Sequence, residues 1–328
     1  MLHGSLPSSI SRLKNLEVFN VDANRLSGFV EFDTFLELRS LKILTLGLNN
    51  FSLLTKSTTN RTMQKFEFLG LASCNLGEFP GFLRNQSQLN LLDLASNNIH
   101  GQIPNWILKM SASLWILDLS YNFLTSFEES FSVFPSGLFC LDLSYNLLKG
   151  SLPIPPPSIF FYLVSRNDFS GEIPPQFCNM TSLQVLDLSH NDLSGKLLQC
   201  FGNLSSILIL NLEENNFNGP IPKTWETGNK LKAIKLGHNY LQGKLPRSLA
   251  NCNMLEFLDL RNNQIKDTFP FWLGVLPELR ILILYSNRFD GAIVIKGPET
   301  DFLFLKLCII DLLDNGFVGT LPIDYLAR

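Results

Sequence analysis

The sequence is poor in charge and has no long apolar run, and each shortage excludes a class of protein. Only 17% of its 328 residues are charged and the net charge is −3, a balance that does not suit a nucleic-acid-binding surface or a polybasic membrane anchor. No run of 18 apolar residues occurs, so nothing predicts a transmembrane helix. The N-terminus also lacks the basic segment followed by an apolar segment that is typical of a signal peptide.

Motifs that carry catalysis or bind metal are missing too. The chain has six cysteines without a C-x-x-C pair, and none of its four histidines stands near a cysteine at a metal-ligand spacing. It contains no P-loop, no G-x-S-x-G and no H-E-x-x-H. We therefore predict that the chain is not an enzyme and that it holds no metal and no cofactor.

What the sequence does contain is a repeat of about 24 residues that fits the template L-x-x-L-x-L-x-x-N-x-L. Residues 183–193 match it with Leu183, Leu186, Leu188, Asn191 and Leu193. We call the Asn position the ladder position. It defines thirteen coils, numbered 1 to 13 in chain order, at Asn24, Asn49, Cys74, Asn97, Asn122, Asn146, Asn167, Asn191, Asn215, Asn239, Asn263, Asn287 and Asn315.

The template has a direct physical meaning. Each coil forms a short strand around its L-x-L, and stacked coils make a parallel sheet whose leucines point inward. The ladder Asn both donates and accepts hydrogen bonds, so it links the backbones of neighbouring coils. We therefore predict an α/β fold, a right-handed leucine-rich-repeat solenoid with a parallel sheet on its concave side and irregular or 3-10 structure on its convex side. We expect a single domain over residues 1–328, truncated at both ends.

A second half-motif, G-x-[IL]-P, follows the ladder in several coils and begins at Gly101, Gly171, Gly219, Gly243 and Gly319. Together with LDLSYN at 117–122 and LDLSHN at 186–191, it resembles the plant extracellular leucine-rich repeat. LPIPPP at 152–157, residues 171–179, LPRSLANC at 245–252 and residues 262–272 are similar to plant receptor-like proteins of the disease-resistance type.

The resemblance implies a function. Members of this family are cell-surface receptors at the plasma membrane that bind pathogen- or development-derived ligands and signal through partner kinases. It implies a peptide or protein ligand and a co-receptor kinase as partners, and no nucleic acid. We expect the chain to be the repeat part of a longer protein, attached to the membrane only through segments outside it. A secreted polygalacturonase-inhibitor-like protein and the ectodomain of a receptor kinase are the alternatives.

The ligand face is predicted in coils 9 to 12. There the strand positions abandon the repeated Asp and Ser, and the strict 24-residue spacing should align equivalent side chains in rows across the sheet. These side chains either bind the ligand, with Arg280 and Tyr285 as anchors, or pair with one another as surface ions. The candidate residues are Glu213, Glu214, Lys232, Lys235, His238, Glu256, Arg261, Arg280 and Tyr285.

Three further features are interpreted from their place in the repeat. N-x-[ST] sequons predict glycosylation, mostly on the convex side, at Asn50, Asn60, Asn85, Asn179 and Asn203. Cys178 and Cys200 lie at similar depth in adjacent coils and form either a disulfide or two free thiols, while Cys140, Cys252 and Cys308 are interpreted as small apolar fillers. A solvated structural stripe, rather than a metal or acid–base site, is predicted for Asp93, Asp118, Asp142, Asp187, Asp259 and Asp311.

Overall fold

The computed structural model describes residues 1–55, 64–109, 111–128, 134–293 and 303–320. The chain divides into two compact units. The first consists of Met1–Lys149 and Pro153–Asn167, and the second of Gly150–Leu152 and Asp168–Arg328. The expectation of a single domain over residues 1–328 stays a prediction.

Every coil contributes one strand of three residues, which ends four residues before the ladder position. In the first unit these ladder strands are Val18–Asn20, Ile43–Thr45, Phe68–Gly70, Leu91–Asp93, Ile116–Asp118, Cys140–Asp142 and Phe161–Leu163. In the second unit they are Val185–Asp187, Ile209–Asn211, Ala233–Lys235, Phe257–Asp259, Ile281–Ile283 and Ile309–Asp311.

Within each unit the ladder strands pair in parallel and in chain order. The central leucines align, so that Leu92 lies opposite Leu117 and Leu117 opposite Leu141, and all three side chains are fully buried. Because side chains alternate along a strand, the residues on either side of these leucines lie on the opposite, exposed face of the sheet. The predicted leucine-rich-repeat solenoid with a parallel sheet is confirmed.

Further strands and single helical turns lie between the ladder strands, before the first and after the last. Second strands lie at His3–Gly4, Arg25–Glu31, Asn50–Leu54, His100–Ile103, Phe123–Phe127, Lys149–Gly150, Asp168–Gly171, Asp192–Lys196, Asn216–Gly219, Tyr240–Gly243, Gln264–Ile265, Asp290–Ala292 and Gly316–Val318. The helices are single turns of 3-10 type at Ser8–Arg12, Gly81–Asn85, Pro175–Asn179, Gln199–Asn203, Arg247–Asn251 and Phe271–Val275, and of α type at Asp33–Leu36 and Asn105–Lys109.

The ladder asparagines bond as the sequence predicts. The Asn122 carboxamide oxygen accepts the Ile99 N–H at 3.0 Å, and its nitrogen donates to the carbonyls of Leu94, Leu119 and Ser120 at 3.0–3.2 Å. One side chain thus satisfies buried backbone groups of two coils. At Cys74 the thiol replaces this network with one weak contact, 3.6 Å from the Ala72 carbonyl oxygen.

The residue before each ladder position is left-handed in all thirteen coils, with φ between 48° and 57°. Only glycine adopts this conformation without strain, yet none of these residues is glycine. None of the thirteen side chains is buried, so this turn places one side chain per coil at the surface. The residues are Ala23, Leu48, Ser73, Ser96, Tyr121, Tyr145, Arg166, His190, Glu214, His238, Asn262, Ser286 and Asp314.

Candidate ligand-binding surface

The exposed side chains of coils 9 to 12 form rows, as the 24-residue spacing predicts. The Glu256 N–H donates to the Lys232 carbonyl and the Arg280 N–H to the Glu256 carbonyl, both at 2.9 Å, which places these three residues side by side. Lys235 in turn lies opposite Asp259 in the sheet register. Equivalent positions of neighbouring coils can therefore interact directly.

Arg261 has two acidic neighbours in these rows. Its Nη2 lies 3.0 Å from Oδ2 of Asp259, which is fully buried, and 3.6 Å from Oε2 of Glu213. Burial raises the pKa of Asp259, while the backbone N–H and the guanidinium of Arg261 oppose this rise. Arg261 therefore acts as the internal counterion of a buried carboxylate, which limits its availability to a ligand.

Most of the other candidates also have partners inside the chain. Lys232 lies 3.7 Å from Glu256, and the His190 imidazole lies 2.6 Å from Glu214. The remaining pairs are His238 with the Asn262 carboxamide, at 3.1 Å, and Lys235 over the Phe257 ring, at 5.5 Å.

Two of the nine candidates differ from the rest. Arg280 is exposed and forms no ion pair with any residue that the structure describes. Tyr285 is half-buried, and its hydroxyl makes no hydrogen bond within the described ranges. These two side chains remain the candidate anchors for a ligand, whereas the other seven are engaged in pairing.

The structure also brings together an aromatic surface that the sequence analysis did not single out, in coils 5 to 7 of the first unit. Trp115, Phe139 and Phe160 occupy the same position before successive ladder strands, with ring centroids 6.3 Å and 4.5 Å apart. Tyr121 and Tyr145 stack at 4.0 Å. The signal in the sequence was the tripeptide SYN, which occurs at the ladder position of two successive coils, at 120–122 and 144–146.

The stripe of aspartates is only partly solvated, which corrects the interpretation made from the sequence. Asp118 and Asp187 are half-buried, and Asp259 is fully buried. In each of these coils one carboxylate oxygen accepts a hydrogen bond from the N–H two residues later, as Asp118 does from the Ser120 N–H at 2.9 Å. These residues therefore cap the turn that follows the strand.

The described residues contain no group of three or more His, Cys, Asp or Glu side chains arranged to hold a metal ion.

Asp93 lacks one bond that Asp118 and Asp187 have, because Ala95 replaces the serine whose hydroxyl donates to the carboxylate in those coils. Burial, followed by the charges of other aspartates in the row, raises its pKa from 3.8 to about 6. The folded state therefore binds more protons than the unfolded chain between about pH 4 and 6, and stability falls as the pH rises through this range.

Asp93→Asn is accordingly expected to stabilise the chain by about 1–2 kcal/mol at pH 7, and to have little effect below about pH 4, where the carboxyl is protonated in both states. The amide oxygen can still accept the Ala95 N–H. Urea unfolding between pH 4 and 7 measures the effect, with Glu78→Gln at an exposed carboxylate as control. A gain that does not depend on pH would contradict the explanation.

The predicted sequons lie at the surface wherever the structure describes them. Asn50, Asn85, Asn179 and Asn203 are exposed, and the last three each end a 3-10 helix. Asn60 lies outside the described residues. Glycosylation at these sites stays a prediction.

The cysteines divide into three groups. Cys178 and Cys200 form a disulfide with their Cα atoms 5.6 Å apart. Cys252 is buried, which raises the pKa of its thiol to about 11, and Cys140 is half-buried. The filler interpretation is wrong for Cys308, which is exposed because it directly precedes the last ladder strand on the outward side.

Two family models match parts of the chain. One, described as Leucine rich repeat, matches residues 220–265, and another, described as Leucine Rich Repeat, matches residues 88–110 and 182–204. Within the described ranges, no helix has the length and apolar character that crossing a bilayer requires.

Relatives of similar sequence are plant proteins. Receptor-like protein 47 of Arabidopsis thaliana is 41% identical over 97% of this chain and 39% of its own length. Receptor like protein 22 of the same plant is 42% identical over 97% of this chain and 41% of its own. The chain thus spans about two fifths of the length of these curated relatives.

Solved structures give the same picture. The ectodomain of the receptor kinase GASSHO1/SCHENGEN3 from Arabidopsis thaliana, in complex with CASPARIAN STRIP INTEGRITY FACTOR 2, has a TM-score of 0.85 at 31% identity, covering 98% of this chain and 38% of that one. The Arabidopsis receptor kinase HAESA, in complex with the peptide hormone IDA and the co-receptor SERK1, has a TM-score of 0.82 at 26% identity. The match covers 98% of this chain and 53% of the HAESA chain. With its repeat and its parallel sheet, the chain is a leucine-rich-repeat solenoid that is similar over nearly its whole length to plant receptor-like proteins.

Proposed function

We propose that the chain is the ligand-recognition part of a plant cell-surface receptor-like protein, without enzymatic activity of its own. It binds a peptide or protein ligand on the exposed face of its sheet and acts with a co-receptor kinase. The observation that carries the proposal is the exposed sheet face of coils 9 to 12, on which Arg280 and Tyr285, unlike their neighbours, make no ion pair or side-chain hydrogen bond with any residue that the structure describes. Arg and Tyr are the residue types enriched among binding hot spots.

The relatives support a peptide or protein as the ligand. GASSHO1/SCHENGEN3 and HAESA, which share the fold, were each solved with a factor or peptide hormone bound, and HAESA also with a co-receptor. The relatives at 41–42% identity are named receptor-like proteins, which favours this class over a secreted enzyme inhibitor.

Two features of the chain support an extracellular location. The Cys178–Cys200 disulfide suits an oxidising compartment, since disulfides rarely persist in the cytosol. The four described sequon asparagines are exposed and accessible to a glycan.

A library of random displayed peptides, selected on the full chain, tests the proposal. Peptides enriched on the unaltered chain are expected to bind about tenfold more weakly to Arg280→Ala or Tyr285→Ala, as loss of a hot spot requires. Arg288→Ala and Tyr240→Ala are matched controls, because both residues are exposed but follow the ladder position instead of lying on the sheet face. Equal binding to all four variants would overturn the assignment of Arg280 and Tyr285.

A further inference from the structure

A second exposed surface lies on the sheet of the first unit, in coils 4 to 7, and none of the predicted ligand residues belongs to it. At its centre Tyr121 and Tyr145 stack nearly parallel, with an interplanar angle of 12°. The Arg166 guanidinium lies 5.2 Å from the Tyr145 ring centroid. Arginine and two tyrosines thus form a continuous column along coils 7, 6 and 5.

Much of this surface is exposed to solvent. The exposed fractions are 42% for Trp115, 51% for Tyr121 and 40% for Tyr145. Phe123 and Leu147, which follow the ladder asparagines of coils 5 and 6 and so lie beside the sheet face and not on it, are 51% and 46% exposed. Large apolar side chains that cluster in water, instead of being scattered singly, are typical of interaction sites.

The column ends abruptly at coil 4. The left-handed position of that coil is Ser96, whose N–H donates to the Ser120 carbonyl at 2.9 Å and so fixes it beside Tyr121. A serine side chain is too small to cover a tyrosine ring. Tyr121 has no described ring partner other than Tyr145, so its face toward coil 4 is open.

The strand segments of coils 4 to 6 carry charge of one sign, while the Arg166 cation of coil 7 acts on Tyr121 from the other side of the column. Asp93, Asp118 and Asp142 align in the sheet register of coils 4 to 6. No lysine or arginine occupies the strand segments of these coils, 90–96, 115–121 and 139–145. Burial is the main cause of the raised pKa of Asp93, and the charges of Asp118 and Asp142 add to it.

We propose that the sheet face of coils 4 to 6 binds a cationic segment of a peptide or protein, in which one arginine side chain extends the column over the open face of Tyr121. The proposal rests on the proposed function and names the chemistry of the ligand. A guanidinium is planar, so it stacks on an aromatic face as Arg166 does on Tyr145, and its charge is complementary to Asp93 and Asp118. Apolar neighbours of that arginine would contact Trp115 and Phe139.

An oligosaccharide is a weaker candidate for the same surface. Sugars stack on free ring faces, but Phe139 and Phe160 use theirs on each other, 4.5 Å apart with an interplanar angle of 26°. The row of carboxylates moreover favours a cation over a neutral ligand.

The test compares two synthetic peptides on the full chain by titration calorimetry. The probe is Leu-Arg-Leu-Arg-Leu, and the control replaces each arginine by citrulline, which has the same shape without the charge. The arginine peptide is expected to bind about tenfold more tightly. Equal affinities would overturn the proposal, and so would binding of a neutral oligosaccharide at this surface in place of the arginine peptide.

Variants locate the binding. Tyr121→Ser copies the residue that coil 4 has at this position, and Asp118→Asn keeps the acceptor for the Ser120 N–H. Each is expected to weaken the arginine peptide about fivefold or more, whereas Tyr240→Ala, at a tyrosine off the sheet face, leaves it unchanged. The site would be contradicted if Tyr121→Ser and Asp118→Asn both kept their melting temperatures and both bound the arginine peptide with unchanged affinity.

Arg280→Ala separates this proposal from the preceding one. It is expected to leave the arginine peptide bound, since Arg280 lies in coil 12 and Tyr121 in coil 5. If library peptides depend on Arg280 while the arginine peptide fails to bind, the proposed function stands and the cationic site is wrong.

Discussion

Gly202→Ala is expected to destabilise the second unit by about 2–4 kcal/mol, because overpacking at this position would meet backbone and not a movable side chain. A Cβ on Gly202 would lie 1.7 Å from the Thr224 carbonyl oxygen and 3.3 Å from the Trp225 Cα. The contact cannot open cheaply, since the Gly202 carbonyl accepts the Glu226 N–H at 3.1 Å and Trp225 is fully buried.

The unfolding midpoint in urea, followed by circular dichroism, measures this loss. Gly137→Ala is the control, because a Cβ there would meet no atom within 4 Å and the backbone is not left-handed. It should change stability by no more than about 0.5 kcal/mol, with a slight gain if the unfolded chain loses freedom. Similar midpoints for the two variants would show that the close approach at Gly202 relaxes freely.

Asn239→Ala is expected to lower the free energy of unfolding by about 1–3 kcal/mol, the cost of leaving buried backbone groups without partners. The Asn239 carboxamide oxygen accepts the Phe217 N–H at 2.9 Å, and its nitrogen donates to the carbonyls of Leu212, Leu236 and Gly237 at 3.0–3.2 Å. Alanine removes all four bonds in a site that is 6% exposed, where water cannot readily replace them.

Cys74→Ala provides the comparison at another ladder position. Its thiol makes one weak contact with the Ala72 carbonyl, so the change removes little hydrogen bonding and costs less than Asn239→Ala. Both variants are compared by their urea midpoints. Equal losses would mean that packing, and not the hydrogen bonds of the asparagine, accounts for the ladder position.

The sequence predicted the ladder and the sheet correctly because both depend on local pattern. Leu117 and Leu119 alternate with Asp118 in a way that only a strand with one buried face satisfies, and Asn122 follows at the distance needed to turn the chain. The pattern did not predict that Asp118 would cap that turn. Capping depends on the direction of the N–H groups after the strand, which the turn itself determines.

The candidate surface was predicted less completely. The sequence placed Arg261 and Arg280 on one face, but it could not distinguish an arginine neutralised by a buried Asp259 from one without an ion partner among the described residues. The sequence analysis also did not single out Tyr121 and Tyr145, whose ring contact at 4.0 Å needs both coils in place.

The sequence by itself determined the repeat, the parallel sheet and the outward-facing positions of the template. The reason is that the same pattern of buried leucines and outward side chains recurs in thirteen coils about 24 residues apart. Only the tertiary structure decided which outward residues remain available to a ligand. That choice depends on distances between side chains of neighbouring coils, such as 3.0 Å from Arg261 to Asp259 and the open face of Tyr121 beside Ser96. It depends likewise on the backbone approach at Gly202, because a contact between coils is not encoded within either coil alone.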